Sequence, residues 1–478
     1  MSHRHSYDAV VVGSGPNGLA AAIVFAQAGC SVLVLESQPT IGGAARCAEL
    51  TIPGFTHDVG SAVHPMAVAT PFFRSLPLDQ HGLRWIDLPV AMAHPFDDGS
   101  SALLRKSIEA TGATLGRDAP AYDALVRPIT DHWDEICADA LAPVHPPKHP
   151  VILARFGLSA LRSAKSLATS RFDDQAARGL FAGLAAHTIM PLTRVATASI
   201  GLVLAAVAHR TGWPIPGGGA QSIANALASY LRSLGGEIVT SSPVASLRDV
   251  PDAGTILLDV TPRQALAIAG DRFSSSYRSS LERYRYGPGA CKVDWALSEP
   301  VPWRDRACAD AGTVHLGGTL DEIVASEHAP WNDEHAEKPF VLVAQPSLFD
   351  SSRAPPGKHT LWGYCHVPNG SDVDMSERIE RQIERFAPGF RECILHRRVT
   401  KASELHLGNA NLVGGDIGGG ANTLRQLFFR PVIRRNPYAT SVKGLYLCSS
   451  STPPGGGVHG MCGMYAARSA LAASRRAD

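Results

Sequence analysis

The sequence predicts an α/β fold in which an open parallel sheet is accompanied by a second, antiparallel sheet. Three observations predict it. A β-branched strand, a glycine-rich loop and an apolar helix follow one another within residues 9–28. A strand, a glycine loop and a helix also occur in that order in residues 444–473. Between them lie segments in which polar and apolar residues alternate, the pattern of strands with one buried face.

The first element is a strand that leads into a glycine loop. Residues 9–12 form a continuous apolar run, which is typical of a strand buried on both faces of a parallel sheet. Gly13, Gly15 and Gly18 then give the pattern G-x-G-x-x-G. Such glycines permit a tight turn, the close approach of a pyrophosphate and close packing of helix on strand. The amide groups at the start of the following helix favour an anion.

An acidic residue stands where this motif needs one. The second apolar strand, residues 31–35, ends at Glu36, a position from which a carboxylate accepts the hydroxyl groups of an adenosine ribose. The glycine pattern alone is weak and often marks a ligand-free turn, but strand, helix and acid together predict a dinucleotide site. Further on, Gly42 and Gly43 allow a cofactor to lie against the backbone, and Arg46 can pair with a phosphate.

Composition narrows the class of protein. A chain of 478 residues with 45% hydrophobic and 18% charged residues is typical of a globular protein of about two to three domains. The net charge of +1 gives no indication of a nucleic-acid partner. Residues 195–208 form the longest uncharged apolar run and are too few to cross a bilayer. The few residues before Asp8 do not form a signal peptide, so we expect a cytoplasmic protein.

The cysteines and histidines do not predict a metal or a redox disulfide. Nine cysteines are scattered along the chain, and no two have the spacing C-x-x-C. The odd number without a framework fits a reducing compartment. We expect neither a bound metal nor a thiol–disulfide reductase.

The middle of the chain predicts a helical region. Strands are predicted at residues 90–96 and 101–105, followed by a helix over 119–139. The stretch 151–172 is apolar and basic, with no acidic residue before Asp173. Two interpretations remain open: a solvent-facing helix of a cap domain, or an amphipathic helix that makes peripheral contact with an anionic membrane.

Later segments show the α/β pattern again, and then strands in which polar and apolar residues alternate. A glycine turn near residue 217, a helix over 223–234 and a strand at 254–260 form another α/β unit, in which the backbone of Val244 either contacts an adenine or only packs. Alternating strands are predicted at residues 288–298, 340–345 and 360–367. Their polar members face either a cavity or solvent: Asp294, Tyr364 and His366.

The end of the chain carries the second strong signal. The strand at residues 444–449 runs into a loop with five glycines, at positions 455, 456, 457, 460 and 463, and then into an alanine-rich helix. We interpret this loop as a second backbone cradle built beside the first. The chain holds only one complete strand–G-x-G-x-x-G–helix–acid unit, so we expect dioxygen, a quinone or another acceptor in place of a nicotinamide.

With both ends considered, the chain resembles the FAD-dependent phytoene desaturase and carotenoid isomerase-like family, which is related to the flavin amine oxidases. Its nearest branch includes the pyridine nucleotide-disulfide oxidoreductase domain-containing proteins. The resemblance covers nearly the whole chain and rests on DAVVVGSGPNGLAAA, IGGAAR, DVGSAVHP, PIPGGGAQSIANAL, GGDIGGGANTLRQLFFRP and GLYLCSSSTPPGGGVHGMCG.

The resemblance implies a discontinuous fold. A Rossmann-like FAD-binding domain of glutathione-reductase type would comprise residues 1–75, 206–284 and 406–478. An α+β substrate domain, made of an antiparallel sheet and a helical cap, would be interleaved with it in residues 76–205 and 285–405.

The resemblance also implies FAD as the cofactor and a set of residues that bind it. These are Gly13, Ser14, Gly15, Asn17 and Gly18 at the pyrophosphate, Glu36 and Ser37 at the ribose, Val244 at the adenine, Gly43, Ala44 and Arg46 at the flavin end, and Ser61, Ser449, Gly457, Val458 and Met461 near the isoalloxazine. The amine-oxidase relatives usually have a second arginine directly after the paired glycines, whereas Ala44 and Ala45 stand there in this chain.

The implied chemistry is hydride transfer to flavin N5 from a hydrophobic, polyene or isoprenoid-like small molecule. His459 and His64 are the candidate catalytic residues, as a proton acceptor or an orienting donor. Two alternatives stay open: a redox-neutral double-bond isomerase that uses reduced FAD, and a flavin-binding interaction protein with little turnover. Covalent attachment of the flavin through Cys462 or His459 is the less favoured arrangement, and the sequence does not predict the oligomeric state.

Overall fold

The computed structural model describes residues 6–475. The strands are β1 Ser6–Val12, β2 Val32–Leu35, β3 Cys47–Glu49, β4 Thr56–Asp58, β5 Trp85–Ile86, β6 Val90–Pro95, β7 Ser101–Leu104, β8 Ile215–Pro216, β9 Glu237–Val239, β10 Asp252–Leu258, β11 Gly289–Leu297, β12 Ala311–Leu316, β13 Val341–Ala344, β14 His359–Val367, β15 Ile394–Thr400 and β16 Leu445–Leu447.

The α-helices are α1 Pro16–Gln27, α2 Pro65–Ala69, α3 Pro71–Arg74, α4 Ile108–Gly112, α5 Ala119–Asp131, α6 Trp133–Ala140, α7 Pro150–Ala160, α8 Ala164–Arg171, α9 Gln175–Ala186, α10 Ala198–Thr211, α11 Gln221–Ser233, α12 Pro262–Ala269, α13 Ser275–Glu282, α14 Leu320–His328, α15 Ser376–Phe386, α16 Leu405–Gly408, α17 Leu424–Phe428 and α18 Met461–Ser474.

A five-stranded parallel sheet forms the first layer, in the order β16-β10-β1-β2-β9. The apolar runs of β1 and β2 are buried because helices cover them, as the continuous hydrophobic pattern predicts. Strands from the start, the middle and the end of the chain meet in this one sheet. The carboxyl ends of β1, β2 and β10 therefore lie side by side, at the edge where ligands bind in open α/β sheets.

The two ends of the chain pack directly on each other. In the first turn of α18, a Cβ atom at Gly463 would lie 1.8 Å from the carbonyl oxygen of Asn17 in α1. Within the glycine loop, a Cβ atom at Gly18 would lie 2.1 Å from the carbonyl oxygen of Gly13. Both glycines are required because backbone occupies the space of a side chain. This packing confirms the prediction that the glycine-rich ends fold together.

The second sheet has seven strands in the order β15-β11-β14-β13-β12-β6-β7. Its neighbours are antiparallel, as predicted, except that β6 and β12 run parallel. Along β11, Cys291, Val293 and Trp295 face a core that includes Ile379 and Ile383 of α15. The alternate residues of β11 point to the other side of the seven-stranded sheet. On that side lie segments of chain that continue from the parallel sheet. The extents of the two domains remain a prediction, because strand membership alone does not fix a boundary.

A layer of helices covers the second sheet. Helix α9 approaches it closely because it carries glycines where it crosses β6 and β12: a Cβ atom at Gly179 would lie 2.9 Å from Nε2 of His94, and one at Gly183 would lie 2.7 Å from Nδ1 of His315. Both glycines lie inside α9, and a larger residue at either position would push the helix away from the sheet. Within residues 6–475, no helix is both long enough and apolar enough to cross a membrane.

Two long helices predicted from the sequence are each divided. The stretch 119–139 is broken at His132 into α5 and α6, and the stretch 151–172 is broken near residue 162 into α7 and α8. Ser163 ends the second gap by capping α8, because its side chain accepts a hydrogen bond from the Ser166 amide over 3.1 Å. Periodicity continued across both breaks and therefore did not reveal them.

Candidate functional site

The glycine loop lies between β1 and the start of α1. Ser14 is fully buried, and its amide and hydroxyl groups donate to Oε2 of Glu36 over 2.9 and 2.6 Å. The Gln38 amide and the Ser37 hydroxyl donate to Oε1 of Glu36 over 2.8 and 3.2 Å. Glu36 thus connects the glycine loop to the end of β2. The sequence predicts that the same carboxylate contacts an adenosine ribose.

A second carboxylate lies under the same loop. Asp259 follows β10, and its Oδ2 accepts a hydrogen bond from the Gly18 amide over 3.0 Å. A Cβ atom at Gly15 would lie 2.7 Å from that oxygen. Burial raises the pKa of Asp259 well above its ordinary value, which favours the neutral acid beside an anion site. Sequence reasoning missed Asp259, although its position after a parallel strand was an available signal.

The loop fits a bound phosphate group. Within residues 6–475, the amides of Gly15 and Asn17 have no hydrogen-bond partner, and the buried Oδ1 of Asn17 has none either. The two backbone amides are donors at the N-terminus of α1, whose dipole favours negative charge. Gly43 packs on the same loop, since a Cβ atom there would lie 3.1 Å from Cα of Gly15. The donor set is therefore that of a dinucleotide pyrophosphate site.

Arg46 and Ala44 line the neighbouring segment. The guanidinium of Arg46 donates to the carbonyl oxygen of Gly43 over 2.8 Å and to that of Gly408 over 2.6 Å. A Cβ atom at Gly60 would lie 2.2 Å from the carbonyl oxygen of Ala44, so the loop that carries Ser61 packs on this segment. In this structure Arg46 joins two backbone segments, and its contact with a phosphate or a flavin edge stays a prediction.

The C-terminal loop adds His459 and its neighbours. Nδ1 of the buried His459 ring accepts a hydrogen bond from the Met461 amide over 3.1 Å. Burial lowers the pKa of His459 to about 4, so the ring is neutral near pH 7. Ser449 donates to the carbonyl oxygen of Val260 over 2.7 Å, while Gly457 and Val458 remain more accessible.

His64 and Val244 lie on different sides of this region. His64 precedes α2, and neither of its buried ring nitrogens has a hydrogen-bond partner within the described chain. Val244 follows β9 and packs partly buried among residues of the parallel sheet. Its neighbour Ser242 donates its amide hydrogen to the carbonyl oxygen of Glu36 over 2.8 Å, which places the segment at the end of β2.

The surroundings of Cys462 favour the protonated thiol over the thiolate. Its sulfur faces the carbonyl oxygens of Thr452 and Gly455 over 3.4 and 3.3 Å. Burial raises the pKa of Cys462 to about 12. Since the thiolate is the reactive form, these contacts do not favour covalent attachment of a flavin through this residue.

Lys292 and Asp294 form a buried ion pair on the inner face of the second sheet. Both side chains are almost fully buried, and the ammonium donates directly to Oδ2 of Asp294. Nδ1 of His57 lies 3.7 Å from the other carboxylate oxygen, Oδ1. Burial lowers the pKa of Lys292 and raises that of Asp294. Sequence reasoning singled out Asp294 and missed Lys292, which lies two residues earlier on the same face.

An apolar group that we call the Trp362 cluster surrounds this pair. Its members are Ala62, Ala290, Leu342, Ala344, Trp362, Tyr364 and Leu405. The strand register places Tyr364 opposite Lys292, and Trp362 opposite Asp294. His366, on the same face, pairs with Glu327 over 2.8 Å. The polar residues predicted to face a cavity or solvent therefore face the interior.

Five buried histidines and the half-buried His187 are expected to make the fold sensitive to acid. Burial lowers the pKa of His57 to about 3, that of each of His64, His94, His187 and His459 to about 4, and that of His315 well below its ordinary value. Within residues 6–475 no group of three or more histidine, cysteine, aspartate and glutamate side chains is placed to hold a metal ion.

The sign of the acid effect follows from proton linkage. The histidine pKa rises on unfolding to about 6.5, so the unfolded chain binds more protons between pH 6.5 and 4. We expect the free energy of unfolding to fall as the pH falls through that window. The raised pKa values of Asp259 and Asp294 act in the opposite direction, because the folded chain keeps protons on these carboxyl groups at pH values above their ordinary pKa of 3.8.

His315→Leu isolates one histidine. We expect urea unfolding at several pH values to show a pH slope smaller by about one proton than that of the parent. His406→Leu, at an exposed position, is the matched control and should leave the slope unchanged. Equal slopes in all three proteins would contradict the prediction.

Known proteins resemble this chain in sequence. Residues 11–76 match a family model described as an NAD(P)-binding Rossmann-like domain. The chain is 26% identical to pyridine nucleotide-disulfide oxidoreductase domain-containing protein 2 of Rattus norvegicus, over 97% of this chain and 93% of that protein. It is 24% identical to all-trans-zeta-carotene desaturase of Myxococcus xanthus, over 94% of this chain and 90% of that protein.

A solved structure shares the fold. Wild-type putrescine oxidase bound to putrescine superposes with a TM-score of 0.63 at 19% identity, over 98% of this chain and 99% of that one. In sequence the chain resembles the phytoene desaturase-like family of FAD-dependent oxidoreductases. The cofactor of this protein is FAD. The name of the family model does not conflict with this, because NAD and FAD domains share the strand–glycine loop–helix unit.

Proposed function

We propose that this FAD-dependent oxidoreductase dehydrogenates a hydrophobic substrate of the polyene or isoprenoid type. The Trp362 cluster carries the proposal, because this buried apolar and aromatic group includes Ala62, one residue after the predicted flavin contact Ser61. A hydrocarbon has few groups that can form hydrogen bonds, so apolar walls hold it best. The name of the Myxococcus xanthus relative, a carotene desaturase, supports the same substrate class.

The chain offers a complete set of groups for FAD. The amides of Gly15 and Asn17 would hold the pyrophosphate, with Gly13, Ser14 and Gly18 shaping the loop. The remaining contacts would come from Glu36 and Ser37 near the ribose, Val244 near the adenine, and Gly43, Ala44, Arg46, Ser61, Ser449, Gly457, Val458 and Met461 toward the flavin. FAD, when bound, supplies the hydride acceptor.

Loss of a hydride and a proton together creates a double bond, so the site also needs a proton acceptor. We assign this role to His64, because burial lowers its pKa to about 4 and both ring nitrogens lack a partner within the described chain. His459 is already bonded at Nδ1 to the Met461 amide, and we assign it a positioning role. Nearby apolar side chains exclude water from the reacting carbon.

Anaerobic mixing tests the proposal. Phytoene dispersed in detergent should bleach the flavin absorbance of the purified oxidised protein, while putrescine should leave it unchanged. His64→Gln should slow the bleaching by about a hundredfold, the size of a lost proton acceptor, and still retain FAD. His406→Gln is the matched control at an exposed position.

Other outcomes would replace the proposal. If phytoene is isomerised only by the pre-reduced protein, and the flavin stays reduced, the protein is an isomerase. If FAD binds and neither state changes a polyene, the interaction-protein alternative is favoured. Bleaching by putrescine alone would indicate an amine substrate.

A further inference from the structure

Helix α7 carries apolar side chains on two faces. Phe156 and Ala160 are buried against the cap. On the opposite face Val151, Leu158 and Leu161 expose 63, 77 and 52% of their surface. These exposed positions recur at about helical spacing, so they form one stripe and are not scattered.

A neighbouring loop extends this stripe. The Ala196 amide donates to the carbonyl oxygen of Leu161 over 3.0 Å, and the Ala198 amide donates to that of Arg162 over 3.2 Å. The loop is thus fixed beside the end of α7. It contributes Val195, which exposes 61% of its surface. Exposure of a large apolar side chain to water at the tip of a loop is energetically unfavourable.

The charges that residues 140–172 themselves carry are of one sign. No acidic residue occurs between Asp139 and Asp173, while this stretch holds Lys148, Arg155, Arg162, Lys165 and Arg171. Lys165 pairs with Asp321 over 2.9 Å. In contrast, Arg155 and Arg194 are exposed and form no ion pair with any residue from 6 to 475. The surface is therefore both apolar and cationic.

We propose that the α7 face, defined as Val151, Leu158, Leu161 and Val195 with Arg155 and Arg194, docks on an anionic lipid surface. The apolar side chains would enter the headgroup region, and the two guanidinium groups would contact lipid phosphates. An amphipathic helix with this combination lies in the plane of a membrane interface. The charge complementarity selects an anionic lipid surface over a neutral one. The proposal does not depend on the substrate.

Vesicle flotation with the FAD-loaded protein tests it. The parent should float with vesicles of phosphatidylcholine and phosphatidylglycerol in a ratio of about 2:1, and at least about tenfold less with phosphatidylcholine alone. High salt should weaken binding because it screens the charges. If the parent binds neither type of vesicle, the proposal is wrong.

Variants locate the contact. Leu158→Ser/Leu161→Ser and Arg155→Glu/Arg194→Glu should each reduce binding to the anionic vesicles by about tenfold or more. All four positions are at the surface, and unchanged thermal unfolding would show that the variants fold. Leu395→Ser and Arg248→Glu, which lie at exposed positions elsewhere, are the matched controls and should bind like the parent.

Two further results would overturn the proposal. The residues Leu424, Phe428, Phe429 and Ile433 are also exposed. If Phe428→Ser/Phe429→Ser abolishes flotation while the α7 variants keep it, lipid binds there and not at the α7 face. If Leu158→Ser/Leu161→Ser changes a dimer into a monomer in sedimentation velocity and leaves flotation intact, the face binds a second copy of the chain.

Discussion

Replacing Arg353 by methionine is expected to destabilise the protein by about 4 kcal/mol, because it leaves a buried carboxylate without its partner. The Arg353 guanidinium donates to Oδ2 of Asp58 over 2.8 Å, and both side chains are almost fully buried. It also donates to the carbonyl oxygen of Thr56 over 3.1 Å. Urea unfolding at pH 7 measures the loss.

A double variant separates charge from packing. Arg353→Met/Asp58→Asn removes both charges, so it should recover a large part of the stability lost in the single variant. If the single and double variants are equally unstable, the cost lies in packing and the ion pair contributes little. The pair joins β4 to the segment before β14, so the single variant should also lower the FAD content of the purified protein.

Gly463→Ala is expected to cost about 3 kcal/mol and to reduce the retention of FAD. The added methyl group would lie 1.8 Å from the carbonyl oxygen of Asn17 and 3.0 Å from the amide nitrogen of Ala21. Backbone cannot rotate away as a flexible side chain can. Relief therefore requires α18 to move from α1, and this shifts the loop whose amides would hold the pyrophosphate.

Gly157→Ala is the matched control. Gly157 also lies inside a helix, α7, but a Cβ atom there would meet no atom within 4 Å. Alanine is the better helix former by about 1 kcal/mol, so this variant should be as stable as the parent or more so. Thermal unfolding and the ratio of flavin to protein absorbance compare the two. Equal stability of both variants would contradict the proposed contact between α18 and α1.

The predicted cofactor region lies beside the Trp362 cluster, and a buried polar pair lies among the apolar residues there. Ala62 belongs to the segment after the paired glycines, while Trp362 and Tyr364 belong to the second sheet. Lys292 and Asp294 lie on the same face as these aromatic residues and form a buried ion pair there, as His366 and Glu327 do. A hydrocarbon placed there would contact mainly apolar atoms, which fits dehydrogenation better than amine binding.

Some features could be read from the sequence because they depend on neighbouring residues. The run Ala9–Val12, the glycines at 13, 15 and 18, and Glu36 lie within one strand–loop–helix–strand unit, so their spacing nearly fixes their arrangement. The C-terminal glycines gave an equally local signal. The family resemblance then provided the cofactor. Local patterning also predicted strands β6, β7, β13 and β14 to within a few residues.

The tertiary structure decided the contacts between distant residues. Asp259 lies 241 positions from Gly18, and Arg353 lies 295 positions from Asp58. No periodicity links such positions, since the fold alone brings their strands and loops together. The helix breaks at residues 132 and 162 and the exposed stripe of α7 were likewise hidden, because hydrophobicity alone does not tell which of two apolar faces becomes buried. Local spacing was enough to predict the dinucleotide loop, and the glycine-rich loop at each end, with the family resemblance, predicted that the chain ends meet. Packing between the two sheets determined which polar groups are buried beside the cofactor region, because burial depends on residues that approach from remote parts of the chain.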